Sequence, residues 1–216
     1  MILAIDTATR MISLALFSPE EGLREERTWS SPNRHTVELA PAVQHLLGHQ
    51  GVSIGDLSAL AVAQGPGSYT GLRIGMSFAK GLALGRSPAL PIVAIPTLDI
   101  VAAAQPLTEE RLLAVIHAGR SRISVGFYQS DGQRWQPDGE PRNTTWENLL
   151  ADITQITRVV GEVDKAVIPL IAPHKYVKLA RSAAGRLRRA GFLAELAHER
   201  LNDAEDPASV VPTYLR

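Results

Sequence analysis

Asp6-Thr7-Ala8-Thr9 puts one carboxylate and two hydroxyls into four consecutive residues. At the end of a strand such a carboxylate can hold a metal or a water near a phosphate, and the hydroxyls can donate to phosphate oxygens. The same residues also read as an Asx-type turn, with Asp6 accepting from backbone N–H groups. Gly65-Pro66-Gly67 follows an apolar run at 60–63 and precedes a helical pattern that ends at Gly85. Strand, glycine turn and helix N-terminus together aim backbone N–H groups at an anion, and Ser68 or Thr70 can cap the first turn. No Lys-Ser/Thr pair follows Gly71, so this is not a Walker A loop. The plainer reading is a tight turn.

His45 and His49 stand four apart, on one face of a helix, and two such imidazoles can begin a metal site. Their spacer, Leu46-Leu47-Gly48, lacks the glutamate of a zincin helix and no third ligand follows; no metal is expected. His35 and Glu38 open the same helix, where an acid suits the positive end of the dipole. No G-x-S-x-G elbow supports a serine hydrolase. Cysteine is absent, which removes thiolate nucleophiles, disulfides and thiolate zinc sites. Lys175, Lys178, Arg181, Arg186, Arg188 and Arg189 make a helix predicted over 174–190 basic. Such a face meets RNA phosphates or is merely solvated.

These groups need a scaffold. Residues 2–5, 12–17 and 23–29 read as three strands joined by short turns, an antiparallel meander. A helix follows over 35–50, with Val37, Leu39, Ala40, Val43, Leu46 and Leu47 at helical spacing. Then come the strand at 60–63, the glycine-rich helix, a strand at 91–95 and a helix at 98–104. The order βββαβαβα is that of a ribonuclease H-like mixed sheet with helices on its faces. After 106–111 the order partly restarts: strands at 112–116, 123–128 and 133–136, a helix at 146–153 and a strand at 158–163. The expectation is α/β, with an N-terminal domain over 1–105 and a reduced copy over 106–216 that ends in an extended tail. A phosphoryl-transfer site on such a duplicated fold wants a second carboxylate at the matching turn. The chain offers Ile116-His117-Ala118-Gly119-Arg120 there, which argues against an autonomous ATPase.

The helix after the glycine turn holds Gly71, Gly75, Gly81 and Gly85, each interior one costing about 1 kcal/mol against alanine. Close approach of another helix, in this chain or a partner, is the expected return. Arg73 and Lys80 exclude a membrane span. Charges balance at 22 against 22 over 216 residues, so no global field draws the chain to nucleic acid or membrane. The N-terminus has no basic stretch before an apolar core and does not read as a signal peptide. The default is a cytoplasmic protein.

ILAIDTAT at the start, the helix at 35–47, QGPGSYTGLRIGMSFAKGLALG, IPTLDIVA and VVPTYLR together resemble the TsaB, or YeaZ, family. The resemblance covers the first half and the tail, and is loose in the second half. It implies an actin-like ATPase fold of two ribonuclease H-like domains, the second reduced. It implies a non-catalytic partner that activates the catalytic paralogue TsaD in forming threonylcarbamoyladenosine beside the tRNA anticodon. The small ATPase TsaE would join, a homodimer would form in the absence of TsaD, and tRNA would be met through the complex. No tightly held cofactor is implied; ATP or ADP with magnesium stays open at an interface with partners. Protease activity, which older family names suggest, has no residues here to carry it. The expected partner face comprises His35, Glu38, Leu39, Leu46, Gly71, Arg73, Gly75, Phe78, Ala79 and Leu82. A phosphate or nucleotide contact would fall on Asp6, Thr7, Thr9, Gly65 and Gly67. The alternative is an autonomous phosphate-handling ATPase using Asp6, Thr7 and Thr9. In TsaD a His-x3-His pair follows the glycine loop, whereas His45 and His49 precede it, so metal binding is not transferred. Family members often open the second half with Asp-Ala-Arg, where this chain has Ala118-Gly119-Arg120.

Overall fold

Three strands, β1 (Ile2–Asp6), β2 (Met11–Ser18) and β3 (Gly22–Ser30), form the expected antiparallel meander in a computed structural model that describes residues 1–119, 122–180 and 182–215. Helix α1 (His35–His49) leads to β4 (Ala59–Gly65), α2 (Tyr69–Leu84), β5 (Ile92–Pro96) and α3 (Thr97–Ala103). The sheet order is β3-β2-β1-β4-β5, with β4 parallel to β1 and β5 parallel to β4.

The period-2 alternation of the strands gives this sheet two different faces. Leu3, Ile5, Leu14, Leu60 and Val62 point into a core shared with Leu39, Val43 and Leu46 of α1 and Met76, Ala79 and Ala83 of α2. Their alternates Ile2, Ala4, Ala15, Ala59, Ala61 and Ala63 are mostly small. A helix lies against that second face, α6 (Ala190–Glu199), contributing Ala190, Leu193, Ala194 and Ala197. Small residues on both sides let helix and sheet approach closely. The start of α6 is fixed by β2 and β3: Ala190 N donates to Ser13 Oγ (2.8 Å), Gly191 N donates to Glu26 Oε1 (2.7 Å), and Arg189 pairs with Glu26.

The division of the chain therefore differs from the expected split at 105/106. One unit comprises Met1–Ile100 with Arg189–Thr213, the other Val101–Arg188 with Tyr214–Arg216. Residues 189–213 return to the first unit because its second face needs α6. The segment beyond α6 stays there too: Glu205 exchanges two backbone hydrogen bonds with Ile92 (3.1 and 2.8 Å), Val210 is buried, and Thr213 N donates to Gln64 O (2.8 Å). That docks the tail, whose place the sequence left open.

The second unit contains β6 (Arg111–His117), β7 (Ile123–Ser130), β8 (Trp135–Pro137), β9 (Arg142–Thr144), α4 (Trp146–Asp152), β10 (Thr157–Gly161), the four-residue α5 (Ile168–Ile171) and β11 (Val177–Leu179). Its order, β11-β10-β6-β7-β8 with β9 also on β7, repeats the first sheet: an antiparallel pair on one side of β6 and parallel strands on the other. Both units have the ribonuclease H-like strand order, the second with shortened helices.

The basic helix predicted over 174–190 does not form. Thr157 N donates to Tyr176 O and Ala180 N to Val159 O, so parallel pairing with β10 takes Val177–Leu179 as β11. Residues Ala184–Arg186 make a 3-10 turn, and the regular helix starts only at Ala190. Tertiary pairing has overridden local helix preference.

β3 is tied to α1 through Glu25, which accepts from His49 Nδ1 (2.8 Å), Gln50 Nε2 (2.9 Å) and Arg27 Nε (2.6 Å). Burial alone pushes the Glu25 carboxyl up, but these three donors outweigh it and bring it from 4.5 to about 2. A depressed carboxylate contributes stability that is present above its unfolded value and lost as pH falls through the folded one. Glu25→Gln is therefore expected to be less stable than the natural chain near neutrality, with the two urea midpoints converging as pH drops from 4.5 towards 2. A gap between them that stays constant over that range would refute the assignment.

Candidate functional site

Asp6 is fully buried, and its Oδ1 accepts from Ala8 N at 2.9 Å. That is the Asx turn, which carries the next residues onto α2. Thr7 Oγ1 donates to the Gly71 carbonyl (2.8 Å), and Ser68 N donates to the Ala8 carbonyl (2.6 Å). Ser68 is the N-cap of α2, its Oγ accepting from Gly71 N at 3.2 Å. Gly65 N donates to Thr97 Oγ1 at 3.1 Å.

The glycines explain themselves in this packing. A Cβ at Gly67 would lie less than 3.0 Å from the Ala8 carbonyl oxygen, at Gly71 from the Thr7 carbonyl oxygen, and at Gly75 from Thr7 Oγ1. At Gly65, where φ is +122°, it would meet the Thr213 carbonyl oxygen. The close approach is therefore made by a turn and a tail of the same unit, and the helix-on-helix contact expected for Gly71 and Gly75 is corrected. Gly81 differs, since nothing lies within 4 Å of its Cβ position. Of the expected phosphate residues, Asp6, Thr7 and Thr9 are all buried and Gly67 lies against Ala8 of the same turn, whereas Gly65 packs on Thr213. The amides of Ser68 and Gly71 that an anion would use already have acceptors within the chain.

The expected partner residues divide by exposure. His35 is buried, its Nε2 donating to the Thr9 carbonyl at 2.8 Å, which pins the start of α1 to the β1–β2 turn. Glu38, half-buried, accepts from Trp29 Nε1 (2.9 Å) and pairs with Arg34 (2.9 Å); the Trp29 bond above all holds its carboxyl below the usual range. Leu39 and Leu46 belong to the core, and Gly71, Gly75 and Ala79 are buried against their own unit. These residues shape and anchor the helices and do not face outward. Arg73 does, with its guanidinium 4.1 Å from the Tyr69 ring centroid, and Phe78 and Leu82 are half-buried. The outward apolar residues that the sequence reading missed are Val37, Tyr69 and Leu84, 62%, 56% and 59% exposed. Val37, which the sequence spacing placed on the apolar stripe of α1, is out of phase with its buried residues, and so is Leu84 on α2; that phase error was the available signal.

His45 and His49 have ring centroids 6.4 Å apart, and His49 turns to Glu25. Among the described residues, no group of three or more His, Cys, Asp and Glu is placed to hold a metal. No described helix is long and apolar enough to cross a membrane. The basic residues of 175–189 are dispersed: Arg188 is buried and pairs with Glu162 (3.7 Å), Lys178 pairs with Glu110 (2.5 Å), and Arg189 is engaged by Glu26. Arg181 and Arg120 lie outside the described residues. A carboxylate does reach the turn after β6, though from another loop than expected: Glu162, leaving β10, accepts from His117 N at 3.0 Å.

Comparison with known proteins adds three likenesses. A family model described as TsaD: tRNA N6-adenosine threonylcarbamoyltransferase matches residues 30–175. The tRNA threonylcarbamoyladenosine biosynthesis protein TsaB of Bacillus subtilis (strain 168) is 32% identical over 221 residues, spanning 100% of this chain and 93% of that protein. TsaB of Escherichia coli (strain K12) is 41% identical over 132 residues, 60% of this chain and 55% of that protein, so the match spans about half of its length. The solved structure of YeaZ from Pseudomonas aeruginosa superposes with a TM-score of 0.80 at 27% identity, covering 99% of each chain.

Proposed function

We propose, of a chain that belongs to the TsaB (YeaZ) family and so takes part in threonylcarbamoyladenosine biosynthesis on tRNA, that it acts as a non-catalytic partner which binds and activates TsaD. One observation carries this reading: the turn that would meet a phosphate is occupied by Thr7 and Ala8 of the same chain, while α1 and α2 expose Val37, Tyr69 and Leu84. The glycine turn then serves to hold α2 rigid, and α2 serves to be recognised. TsaE joins the complex, a second copy occupies the same face when TsaD is absent, and ATP or ADP with magnesium is held where partners meet rather than at Asp6 alone.

The deciding experiment is threonylcarbamoyl transfer to tRNA by TsaD, TsaE and a supply of the threonylcarbamoyl adenylate, with and without this chain. Transfer that needs the chain, together with no transfer by the chain alone, supports the reading; equal transfer without it refutes the reading. Tight magnesium-dependent ATP binding by the isolated chain, abolished by Asp6→Ala, would instead establish an autonomous ATPase.

Gly81 gives a sharper test of the face. Gly81→Trp adds a bulky ring to an open surface position, and is expected to leave unfolding midpoints near those of the natural chain while weakening association at least tenfold in analytical ultracentrifugation. Undiminished association by the folded variant would move the interface elsewhere.

A further inference from the structure

The end of the first unit is laid along α2. Lys80 Nζ donates to the Ala208 carbonyl at 3.2 Å. Further on, Thr213 N donates to the Gln64 carbonyl, and the Thr213 carbonyl oxygen and Leu72 Cδ1 both lie against the Cβ position of Gly65. Residues 208–213 therefore run beside the helix from the level of Lys80 to that of Leu72. Extended chain alternates its side chains, and here one turns in and the next turns out. Val210 is fully buried in the core that holds Met76, Ala79 and Ala83 of α2, whereas Val211 is 61% exposed. Gln64 Nε2 donates to the Val211 carbonyl at 3.4 Å, so the backbone there is held while the side chain faces solvent.

The exposed residues of α2 are Tyr69, Thr70, Arg73, Ser77, Gly81 and Leu84. At 3.6 residues per turn, Tyr69, Arg73 and Leu84 fall within an arc of about 60° that also contains Lys80. Lys80 is the residue that touches the tail, so the exposed apolar side chains of α2 stand on its tail side. Val211, Tyr69 and Leu84 thus belong to one strip, with an extended rim and a helical floor. Neither α2 nor the run 207–213 contains an acid. The charges on the strip are Lys80, engaged by the Ala208 carbonyl, and Arg73, which stacks over the Tyr69 ring and forms no ion pair among the described residues.

We infer that residues 208–213 are a further element of the partner surface, and that its occupant is a helix of the partner with an apolar face on Val211, Tyr69 and Leu84 and a carboxylate opposite Arg73. The inference rests on the reading of this chain as the partner of TsaD and deepens it, extending the docking face from two helices to the tail beside them. Continuity with that face and the uncompensated charge of Arg73 select the occupant. A helix fits because Tyr69, Arg73 and Ser77 recur every four residues, a ridge that another helix can interleave. A second copy fits less well, since its own α2 brings Arg73 and Lys80 and no acid.

The test measures the affinity of the full chain for TsaD by isothermal titration calorimetry, beside its self-association in analytical ultracentrifugation. Val211→Arg is expected to weaken TsaD binding by about tenfold or more, because a charge is pressed against an apolar face. Its urea midpoint is expected to match that of the natural chain, since the side chain lies outside the core. Arg73→Gln tests the strip without touching the tail: binding is expected to weaken about threefold or more and to lose part of its salt dependence. Leu23→Arg, an exposed apolar position beside Gly191 on the α6 side of the sheet, is expected to leave affinity unchanged. Natural affinity in folded Val211→Arg overturns the inference and leaves the partner reading standing. So does a loss in Leu23→Arg as large as that in Val211→Arg. Lowered self-association of Val211→Arg with undiminished TsaD binding overturns it in favour of a second copy as the occupant. No binding of TsaD by the natural chain refutes the partner reading, and the inference falls with it.

Discussion

Gly71→Ala is expected to lower the unfolding free energy by about 3 kcal/mol, at the upper end of what overpacking a close contact costs. The added methyl meets the Thr7 carbonyl oxygen, an atom of the backbone that cannot rotate away. Relief requires the β1–β2 turn to move, and that turn is held by the Asp6–Ala8 and Ser68–Ala8 hydrogen bonds and by His35 on Thr9. Helix propensity works in the opposite direction, since alanine is favoured over glycine by about 1 kcal/mol. Gly81→Ala isolates that propensity gain, because its Cβ meets nothing, and is expected to raise stability by about 1 kcal/mol. Gly75→Ala should fall between them, as the obstacle there is the Thr7 hydroxyl, which has one rotatable bond. Urea titrations of the three variants check the order. Equal midpoints for Gly71→Ala and Gly81→Ala would mean that the turn does not lie against α2 as described.

Leu193→Ala should cost about 2–5 kcal/mol, the range for emptying a fully buried leucine site. The informative part is where the loss appears. Leu193 packs with Ala4, Ala61 and Val93 in the core behind the first sheet, so amides of β1 and β4 should exchange faster in native-state hydrogen exchange. Amides of β6 and β10 should not. Faster exchange confined to β6 and β10 would place α6 with the other unit and refute the assignment of residues 189–213.

Much of the first sheet could be read from local pattern. β1, β2 and β4 are short apolar runs ended by Asp6, Pro19 and the glycine turn, and α1 repeats Leu39, Val43 and Leu46 at helical spacing. What could not be read depended on pairing between distant residues. Alanines carry little amphipathic signal, so α6 left no periodic trace, and its reason for existing, the alanine face of the sheet, lies almost two hundred residues earlier. Val177–Leu179 became a strand because β10 offered an unpaired edge, which no local propensity encodes. The partner face failed for a related reason. Periodicity picks out Leu39 and Leu46 because they are apolar and in phase, and being in phase is what buries them. Glycine content correctly announced a close approach but carried no information on what approaches, which turned out to be Thr7, Ala8 and Thr213.

The interruption of the first unit between Ile100 and Arg189 has a consequence for biosynthesis. A chain emerging from the ribosome exposes β1 to β5 early, but the helix that covers their second face is made last. Residues 101–188 are complete before Leu193, Ala194 and Ala197 exist to close that core. The usual N-terminal-first order of domain folding during synthesis is thereby lost, since the first unit waits for residues 189–213 while most of the second, residues 101–188, is already made. Through that interval Ala4, Ala59, Ala61 and Val93 stand uncovered on a nascent sheet, the kind of surface that holding chaperones recognise.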